Sequence, residues 1–118
     1  MSTILIAEDT KFLRMGVHKL LAENNYDVVE AKDGNEAVEI YRQIKPDLVL
    51  MDFAMPDKNG MDALREIRLF DPQAKVIMLT ALGQKSIALR ALQSGAKDFI
   101  TKPYDPEHLL TAVQKVLG

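Results

Sequence analysis

Several residue types with specialised chemistry are scarce or missing in this chain. There is no cysteine, which excludes disulfides, thiolate catalysis and thiolate metal sites, and which fits a reducing compartment. No apolar run approaches membrane-spanning length. The formal net charge is only -2, so the composition indicates no general attraction to nucleic acid or to an anionic membrane, and we expect neither as a partner.

What the chain does contain is suited to one ordinary globular domain. Its first residues, MSTILIAED, are too few and too acidic for a signal peptide, so we expect a cytoplasmic protein. The 118 residues can bury a single core but not two substantial ones. The sequence shows no internal repeat, linker or low-complexity stretch. We therefore predict one domain over residues 1–118.

Two kinds of segment alternate along the chain. Short, continuous apolar runs at residues 3–7, 48–51 and 76–80 are typical of strands covered on both faces. The runs at residues 27–31 and 98–101 are shorter or carry charge, which is typical of edge strands. Between these runs, apolar residues recur at helical spacing. The predicted helix faces are Leu13, Val17, Leu20 and Leu21; Ala37, Val38, Tyr41 and Ile44; Ala63, Leu64 and Ile67; Ala88, Ala91 and Leu92; and Leu109, Val113, Val116 and Leu117.

Strands that alternate with helices in this way predict a parallel sheet with right-handed crossovers, of the form (βα)5. The most apolar strands, the first, third and fourth, should be central, and the second and fifth should lie at the edges. The simplest strand order that satisfies both conditions is 2-1-3-4-5, a doubly wound α/β sheet. Ligands of such sheets bind beyond the carboxyl ends of the strands.

Polar side chains follow the strands at this end of the predicted sheet, which we call the carboxyl rim. The rim residues are Glu8 and Asp9 after the first strand, Asp52 after the third, Thr80 and Ala81 at the fourth, and Lys102 and Pro103 after the fifth. Taken singly, Asp9 could cap a helix, Thr80 suits a strand and Lys102 suits a surface. Asp52 is a poor cap because the next helix begins only near Gly60. The convergence of all these residues is what indicates a functional site.

The three acidic residues of the carboxyl rim, Glu8, Asp9 and Asp52, predict a cation site. Carboxylates gathered at one point repel each other, and a hard cation with oxygen ligands relieves that repulsion. Mg²⁺ fits, because it takes few carboxylates, retains several waters and pairs with phosphate oxygens. The two histidines, His18 and His108, fall on the first and last helices and are expected to be ordinary helix residues.

A carboxylate beside Mg²⁺ can also act as a nucleophile. Attack of Asp52 on phosphorus would form an aspartyl phosphate, a reaction that depends mainly on positioning and charge neutralisation. Lys102 supplies a cation and the Thr80 hydroxyl supplies a hydrogen-bond donor. Backbone N–H groups after Asp52 and at Ala81 are candidates for binding the remaining oxygens.

These residues resemble those of a known family. The segments AED at 7–9, LVLMDFAMPDKNG at 48–60, LTA at 79–81 and GAKDFITKP at 95–103 are similar to the receiver domain of two-component response regulators, the CheY-like family. The resemblance covers essentially the whole chain, in order and spacing. It implies a flavodoxin-like fold and a protein that takes a phosphoryl group from a histidine kinase in a Mg²⁺-dependent reaction.

The resemblance also implies a role for each acidic residue. Asp52 would be the phospho-acceptor. Asp9 would ligate Mg²⁺ directly, Glu8 would act through a water, and Asp52 and the Ala54 backbone carbonyl would complete the metal site. The departures from the common pattern are small: the acidic pair is Glu and Asp rather than two Asp residues, Phe99 lacks a hydroxyl, and Ala54 and Leu82 flank the site without polar side chains.

The remaining roles implied by the resemblance concern phosphate binding and switching. Catalysis would involve Thr80 and Lys102 beside Asp52, and phosphate binding would involve Thr80, Ala81 and Lys102. Thr80 and Phe99 would be the switch residues. The Lys102–Pro103 peptide is usually cis in this family, although cis is the minority state of X-Pro bonds in general.

The implied activity is signalling, with self-phosphorylation and slow self-dephosphorylation as the only chemistry. The implied partners are a sensor histidine kinase as phosphodonor and a downstream target. That target would bind a face made by the fourth helix, predicted over residues 86–94, the fifth strand and the fifth helix, where Arg90, Lys97 and Tyr104 are the exposed candidates. The implied form is a monomer, with a phosphorylation-dependent dimer as an alternative.

Other classes of protein fit the sequence less well. An aspartyl phosphatase of the haloacid dehalogenase type needs an acidic residue where this chain has Ala54. A flavodoxin-like FMN carrier needs a neutral phosphate loop where this chain has Glu8 and Asp9. A receiver-shaped interaction module that is never phosphorylated would not need the complete set of rim residues. Within the receiver family, the segments EDTKFLR at 8–14 and TALGQ at 80–84 favour a chemotaxis-type regulator. A phosphorelay protein and a receiver cut from a transcriptional regulator are the alternatives.

Overall fold

A computed structural model of the protein describes all 118 residues, and β-strands alternate with α-helices throughout. The strands are β1 (Thr3–Ala7), β2 (Asp27–Ala31), β3 (Leu48–Asp52), β4 (Val76–Ala81) and β5 (Asp98–Lys102). The helices are α1 (Lys11–Glu23), α2 (Gly34–Ile44), α3 (Gly60–Phe70), α4 (Lys85–Gln93) and α5 (Pro106–Leu117). None of these helices combines the length and the apolar character needed to cross a lipid bilayer.

All five strands are parallel and lie in the order β2-β1-β3-β4-β5, which confirms the predicted topology. The register brings Ala7 beside Ala31 on one side and beside Met51 on the other. It also pairs Asp52 with Leu79 and Ala81 with Lys102. The carboxyl ends of the central strands are therefore level, and the side chains that follow them share one rim.

Each face of the sheet carries its own buried core, because successive strand side chains point to opposite faces. One core contains Leu5, Val49 and Met78 and is covered by residues of α2, α3 and α4. The other contains Ile6 and Leu50 and is covered by residues of α1 and α5. The edge strand β2 is only partly buried, as its charged sequence predicts.

The helix boundaries follow local signals in the sequence. Asp33, Asn59 and Asp105 precede α2, α3 and α5, and each accepts a hydrogen bond from a backbone N–H of the first turn, as N-cap residues do. Pro106 is the first residue of α5, where its missing N–H is tolerated. Helices α1 and α4 have no such side-chain cap.

Some sequence-based details differ from the structure. Strands β3, β4 and β5 each extend one residue further than predicted, so Asp52, Ala81 and Lys102 are strand residues, and α4 begins and ends one residue earlier. Three residues predicted for the core are exposed instead: Leu13, Ile44 and Leu92. Each lies in the first or last turn of its helix, where fewer elements cover it. Helical spacing identifies the buried face but not how far burial extends along the helix.

Candidate functional site at the carboxyl rim

Three charged side chains at the ends of three different strands meet at the carboxyl rim. The ammonium nitrogen of Lys102 lies 2.6 Å from Glu8 Oε1 and 3.0 Å from Asp52 Oδ2. Glu8 and Asp52 are only 2% and 5% exposed. Charges buried to this degree need partners, and Lys102 serves both carboxylates at once. The expected convergence of the first, third and fifth strand ends is therefore present.

Asp9 joins this group from the more exposed side. One carboxylate oxygen from each of Glu8, Asp9 and Asp52 lies within 4.8 Å of the others. Partial desolvation of its carboxyl group is the main cause that raises the pKa of Asp9 above its ordinary value, and the hydrogen bond and negative charge of Glu8 raise it further. Asp9 does not cap α1, because the N-cap is Thr10. A set of hard oxygen donors whose charges repel each other suits Mg²⁺.

Lys102 remains protonated in this environment. Burial by itself lowers the pKa of its ammonium group, but the hydrogen bonds and charges of Glu8 and Asp52 outweigh that effect, and the pKa is raised. Because its pKa is raised, Lys102 supplies a positive charge at neutral pH, directed at the predicted phospho-acceptor. The Lys102–Pro103 peptide is cis, as the family resemblance implies.

A glycine allows the chain to fold closely around Asp52. Gly60, the first residue of α3, donates its N–H to the Phe53 carbonyl at 2.8 Å, and a Cβ atom here would lie 2.2 Å from the Asp52 carbonyl oxygen. The Phe53 N–H, which follows Asp52, donates to the Leu79 carbonyl at 3.0 Å, so this N–H is already used in a hydrogen bond between neighbouring strands. Ala54 follows on the exposed surface of the loop. The β3–α3 loop thus keeps Asp52 fixed against its neighbours.

A hydrogen-bond network behind the acidic pair was not predicted from the sequence. Arg14 donates from Nη1 to the Glu8 carbonyl oxygen at 2.8 Å and from Nε to Glu30 Oε1 at 2.7 Å. His18 Nδ1 lies 2.5 Å from the other Glu30 oxygen. The pKa of Glu30 is lowered, mainly by the hydrogen bond from Arg14. Burial opposes this shift, and His18 adds to it. His18 is a helix residue of α1 as predicted, and with Arg14 and Glu30 it forms a brace that joins α1 and β2 to the turn carrying Asp9.

The two other predicted rim residues lie at the end of β4. Thr80 is buried, Ala81 is exposed, and both line a cavity of about 250 Å³ together with Gln84 and Phe99. Phe99 is half-buried and packs against the core beneath α2, α3 and α4. The Ala81 N–H, a candidate donor to a phosphoryl oxygen, donates to the side-chain oxygen of Gln84 at 2.8 Å.

The candidate residues for an output face are unequally exposed. Arg90 on α4 and Lys97 before β5 are exposed. Tyr104 is half-buried, and burial is the main cause of its raised pKa. It lines a groove together with residues of α1, among them Leu13. Tyr104 is thus less accessible than the sequence predicts.

Comparison with known proteins places these observations in context. The family model described as "Response regulator receiver domain" matches residues 4–114. Protein CcdB of Bacillus subtilis is 48% identical to this chain, and the match covers 100% of this chain and 99% of that protein. Chemotaxis protein CheY of Thermotoga maritima is 45% identical to this chain, and the match covers 96% of this chain and 95% of that protein. The crystal structure of a CheX–CheY complex with BeF3 and Mg²⁺ from Borrelia burgdorferi matches with a TM-score of 0.94 and 33% identity, covering 99% of this chain and 90% of that one.

Proposed function

This chain belongs to the response regulator receiver domain family, and from that premise we propose that it accepts a phosphoryl group on Asp52. The observation that carries the proposal is the placement of Asp52. Its carboxylate is buried, is within hydrogen-bonding distance of Lys102 and is within 4.8 Å of Glu8 and Asp9 oxygens. A buried carboxylate held between a cation and a candidate metal group is suited to nucleophilic attack on phosphorus.

The acidic group would be the metal site of this reaction. Glu8, Asp9, Asp52 and the backbone carbonyl of Ala54 would hold Mg²⁺, which when bound supplies positive charge against both the carboxylates and the phosphoryl oxygens. The donor chemistry fits, since every one of these groups offers oxygen. Arg14 orients the Glu8 carbonyl and so keeps the acidic turn in place.

The chain's own residues divide the phosphoryl transfer between them. An Asp52 oxygen forms the new bond to phosphorus, and the bond from phosphorus to the donor group breaks with its electron pair leaving on that group. Lys102 neutralises charge on the transferred group, and the Thr80 hydroxyl and the Ala81 N–H donate hydrogen bonds to its oxygens. The phosphoryl donor would be a sensor histidine kinase, and the chemistry proposed for the chain is self-phosphorylation followed by slow self-dephosphorylation.

The added group, with a charge of roughly -1.5 to -2, then changes the balance between two arrangements of the protein. Thr80 turns toward the phosphoryl oxygens, and Phe99 moves into the space that opens in the cavity they both line. The outcome is a changed face of α4, β5 and α5 that a downstream protein recognises. The CheY relatives support a chemotaxis-type output, with a phosphorelay output as the alternative. The proposal also takes residues 1–118 as one cytoplasmic domain that is monomeric, with a phosphorylation-dependent dimer as the alternative.

Labelling with acetyl phosphate tests the proposal. In the presence of Mg²⁺, the wild type should gain the mass of one phosphoryl group, and the gain should disappear in Asp52→Asn or after chelation of the metal. Asp57→Asn is the matched control, because Asp57 lies in the same loop, is exposed, and has a positive φ of 67° that asparagine also tolerates. Labelling that persists in Asp52→Asn would mean that the acceptor is wrongly assigned.

A binding experiment tests the signalling part of the proposal. Protein loaded with BeF3 and Mg²⁺ should retain a partner on a pull-down that the free protein does not. The same loaded protein should show changed NMR signals from Thr80 to Phe99. Changes confined to the neighbours of Asp52 would instead favour a receiver whose chemistry is not coupled to α4.

A further inference from the structure

The donor that the proposed function assigns to a phosphoryl oxygen is already occupied by a side chain of this protein. The Ala81 N–H donates to Gln84 Oε1 at 2.8 Å, and the Gln84 N–H donates back to the Ala81 carbonyl at 3.2 Å. A backbone N–H offers a single hydrogen. A phosphoryl oxygen and the Gln84 amide oxygen therefore compete for the Ala81 N–H.

Gln84 also belongs to the helix that is expected to respond. It is the N-cap residue of α4, and its backbone carbonyl accepts from the Ala88 N–H at 3.1 Å. Its side chain caps no N–H of the first turn, since it is engaged with Ala81 instead. One residue thus touches the phosphoryl-binding donor through its side chain and the first turn of α4 through its backbone.

The exchange of partners at Ala81 is favourable on general grounds. Gln84 offers a neutral amide oxygen, whereas a phosphoryl group offers oxygens with negative charge. Hydrogen bonds to charged acceptors are shorter and about twice as strong as those to neutral acceptors. The phosphoryl group should therefore displace Gln84, and the side chain that leaves Ala81 becomes available to the unsatisfied N–H groups at the start of α4.

We propose that Gln84 is a positioning residue of the phosphoryl site, which holds the Ala81 N–H in the resting protein and transmits its release to α4. This inference rests on the proposed function, because it takes Asp52 as the acceptor and Ala81 as a donor to the transferred group. It adds a link to α4 that does not pass through Thr80 or Phe99. It also assigns the resting protein an internal competitor for the phosphoryl group.

Two substitutions at Gln84 should change the affinity for BeF3 in opposite directions. Gln84→Ala removes the competitor, and loss of one neutral hydrogen bond should tighten BeF3 binding by about two- to tenfold. Gln84→Glu keeps the size of the side chain but adds a charge that holds the Ala81 N–H more strongly and repels the anion, so binding should weaken. Gln93→Ala, an exposed residue at the other end of α4, should bind like the wild type.

The experiment is a BeF3 titration with saturating Mg²⁺, followed by NMR of the Ala81 amide and of the amides of α4, with thermal unfolding of each variant as a check on folding. In Gln84→Ala, the amides in the first turn of α4 should shift less on BeF3 binding than in the wild type, because no side chain is released to them. If the turn formed by Gln84 had only a structural role, substitution of Gln84 would change the stability of the protein without changing its affinity for BeF3. If the alanine variant folds poorly, weaker binding by Gln84→Glu still supports the inference, and unchanged binding overturns it.

The outcomes separate this inference from the proposed function. A folded Gln84→Ala that binds BeF3 no more tightly than the wild type overturns the role of Gln84 and leaves Asp52 as acceptor. A wild type that does not bind BeF3 with Mg²⁺ overturns the proposed function itself.

Discussion

The two halves of the carboxyl rim are built differently, although they lie side by side. The acidic half, comprising Glu8, Asp9 and Asp52, is held by Lys102 and by the brace from Arg14. The switch half, from Thr80 to Gln84 with α4 behind it, ends in an exposed loop where Leu82 is 75% exposed. Phosphoryl transfer requires fixed geometry, whereas a signal requires an element that moves at low cost. We infer that the rim separates these two requirements, with the fixed geometry in the acidic half and the movable element in the switch half.

The helices behind the two halves show the same contrast. Helix α3, which follows Asp52, has an Asn59 cap and buries Leu64 and Ile67 among others. Helix α4 has no side-chain cap and buries only Ala88 and Ala91. Because burial of large apolar side chains is the main stabilising contribution, α4 should open locally long before the rest of the molecule unfolds.

The largest expected effect tests whether α4 is independent of the core. Leu64→Ala removes a side chain with no exposed surface and should lower the free energy of unfolding by about 3 kcal/mol. Urea unfolding measures this loss, and amide hydrogen exchange should show the same loss in α3. Protection of the α4 amides should hardly change, because they exchange by local opening.

The control for this experiment is Leu89→Ala in α4. Leu89 is 48% exposed, and its removal should cost less than about 0.5 kcal/mol. If Leu64→Ala instead reduced protection in α4 as much as in α3, the two helices would open together. The contrast between the two halves of the rim would then be wrong.

In the acidic half of the rim, the charged residues could be predicted from the sequence, but the brace behind them could not. Glu8, Asp52 and Lys102 were predicted together because apolar runs locate the strand ends and parallel topology brings those ends to one rim. The pairing of Arg14 with Glu30 depends on how α1 lies against β2, which hydrophobic spacing does not specify. A basic residue one turn into α1 and an acidic residue near the end of the neighbouring strand were the available signal.

The switch half was harder to predict for a different reason. The bond between Gln84 and Ala81 is made by a loop in which Gly83 has a positive φ of 83°, and such a loop has no periodicity to interpret. The exposed positions Leu13 and Ile44 were also missed, since spacing alone does not show where a helix passes beyond the sheet. Strand ends are thus predictable, and loop conformations and side-chain networks require coordinates.

A change of intermediate size tests the brace of the acidic half. Arg14→Met should weaken Mg²⁺ binding by about tenfold, because partners that orient metal-bearing groups typically contribute at least that much. Mg²⁺ titration followed by NMR measures the affinity. The BeF3-induced shifts of α4 should keep their full size once Mg²⁺ is saturating, since the switch half does not contact Arg14.

Arg65→Met is the matched control for this prediction. Arg65 is exposed on α3 and has only a 3.9 Å contact with Asp62, so its loss should leave Mg²⁺ affinity unchanged. Equal Mg²⁺ affinity in Arg14→Met and the wild type would show that the turn carrying Asp9 needs no brace. Reduced α4 shifts at saturating Mg²⁺ would show instead that the two halves are mechanically joined.

The smallest expected effect concerns the repulsion that the acidic half retains without metal. Partial desolvation and the neighbouring Glu8 raise the pKa of Asp9 in the folded protein. The contribution of Asp9 to stability is therefore complete below its ordinary pKa of 3.8 and is lost as the pH rises through the pKa of the folded state. At pH 7 without Mg²⁺, Asp9→Asn should therefore raise the free energy of unfolding.

The gain should not exceed about 1 kcal/mol, because Asp9 is exposed and solvent screens its interactions. Thermal unfolding in a chelator measures it, and the difference from the wild type should shrink as the pH falls toward 3.8. Asp57→Asn should show no comparable gain. Adding Mg²⁺ should reverse the ranking, since the wild type binds the ion more tightly and binding to the folded state stabilises it. A lower stability of Asp9→Asn at pH 7 without metal would mean that the acidic half is held together by Asp9 rather than strained by it.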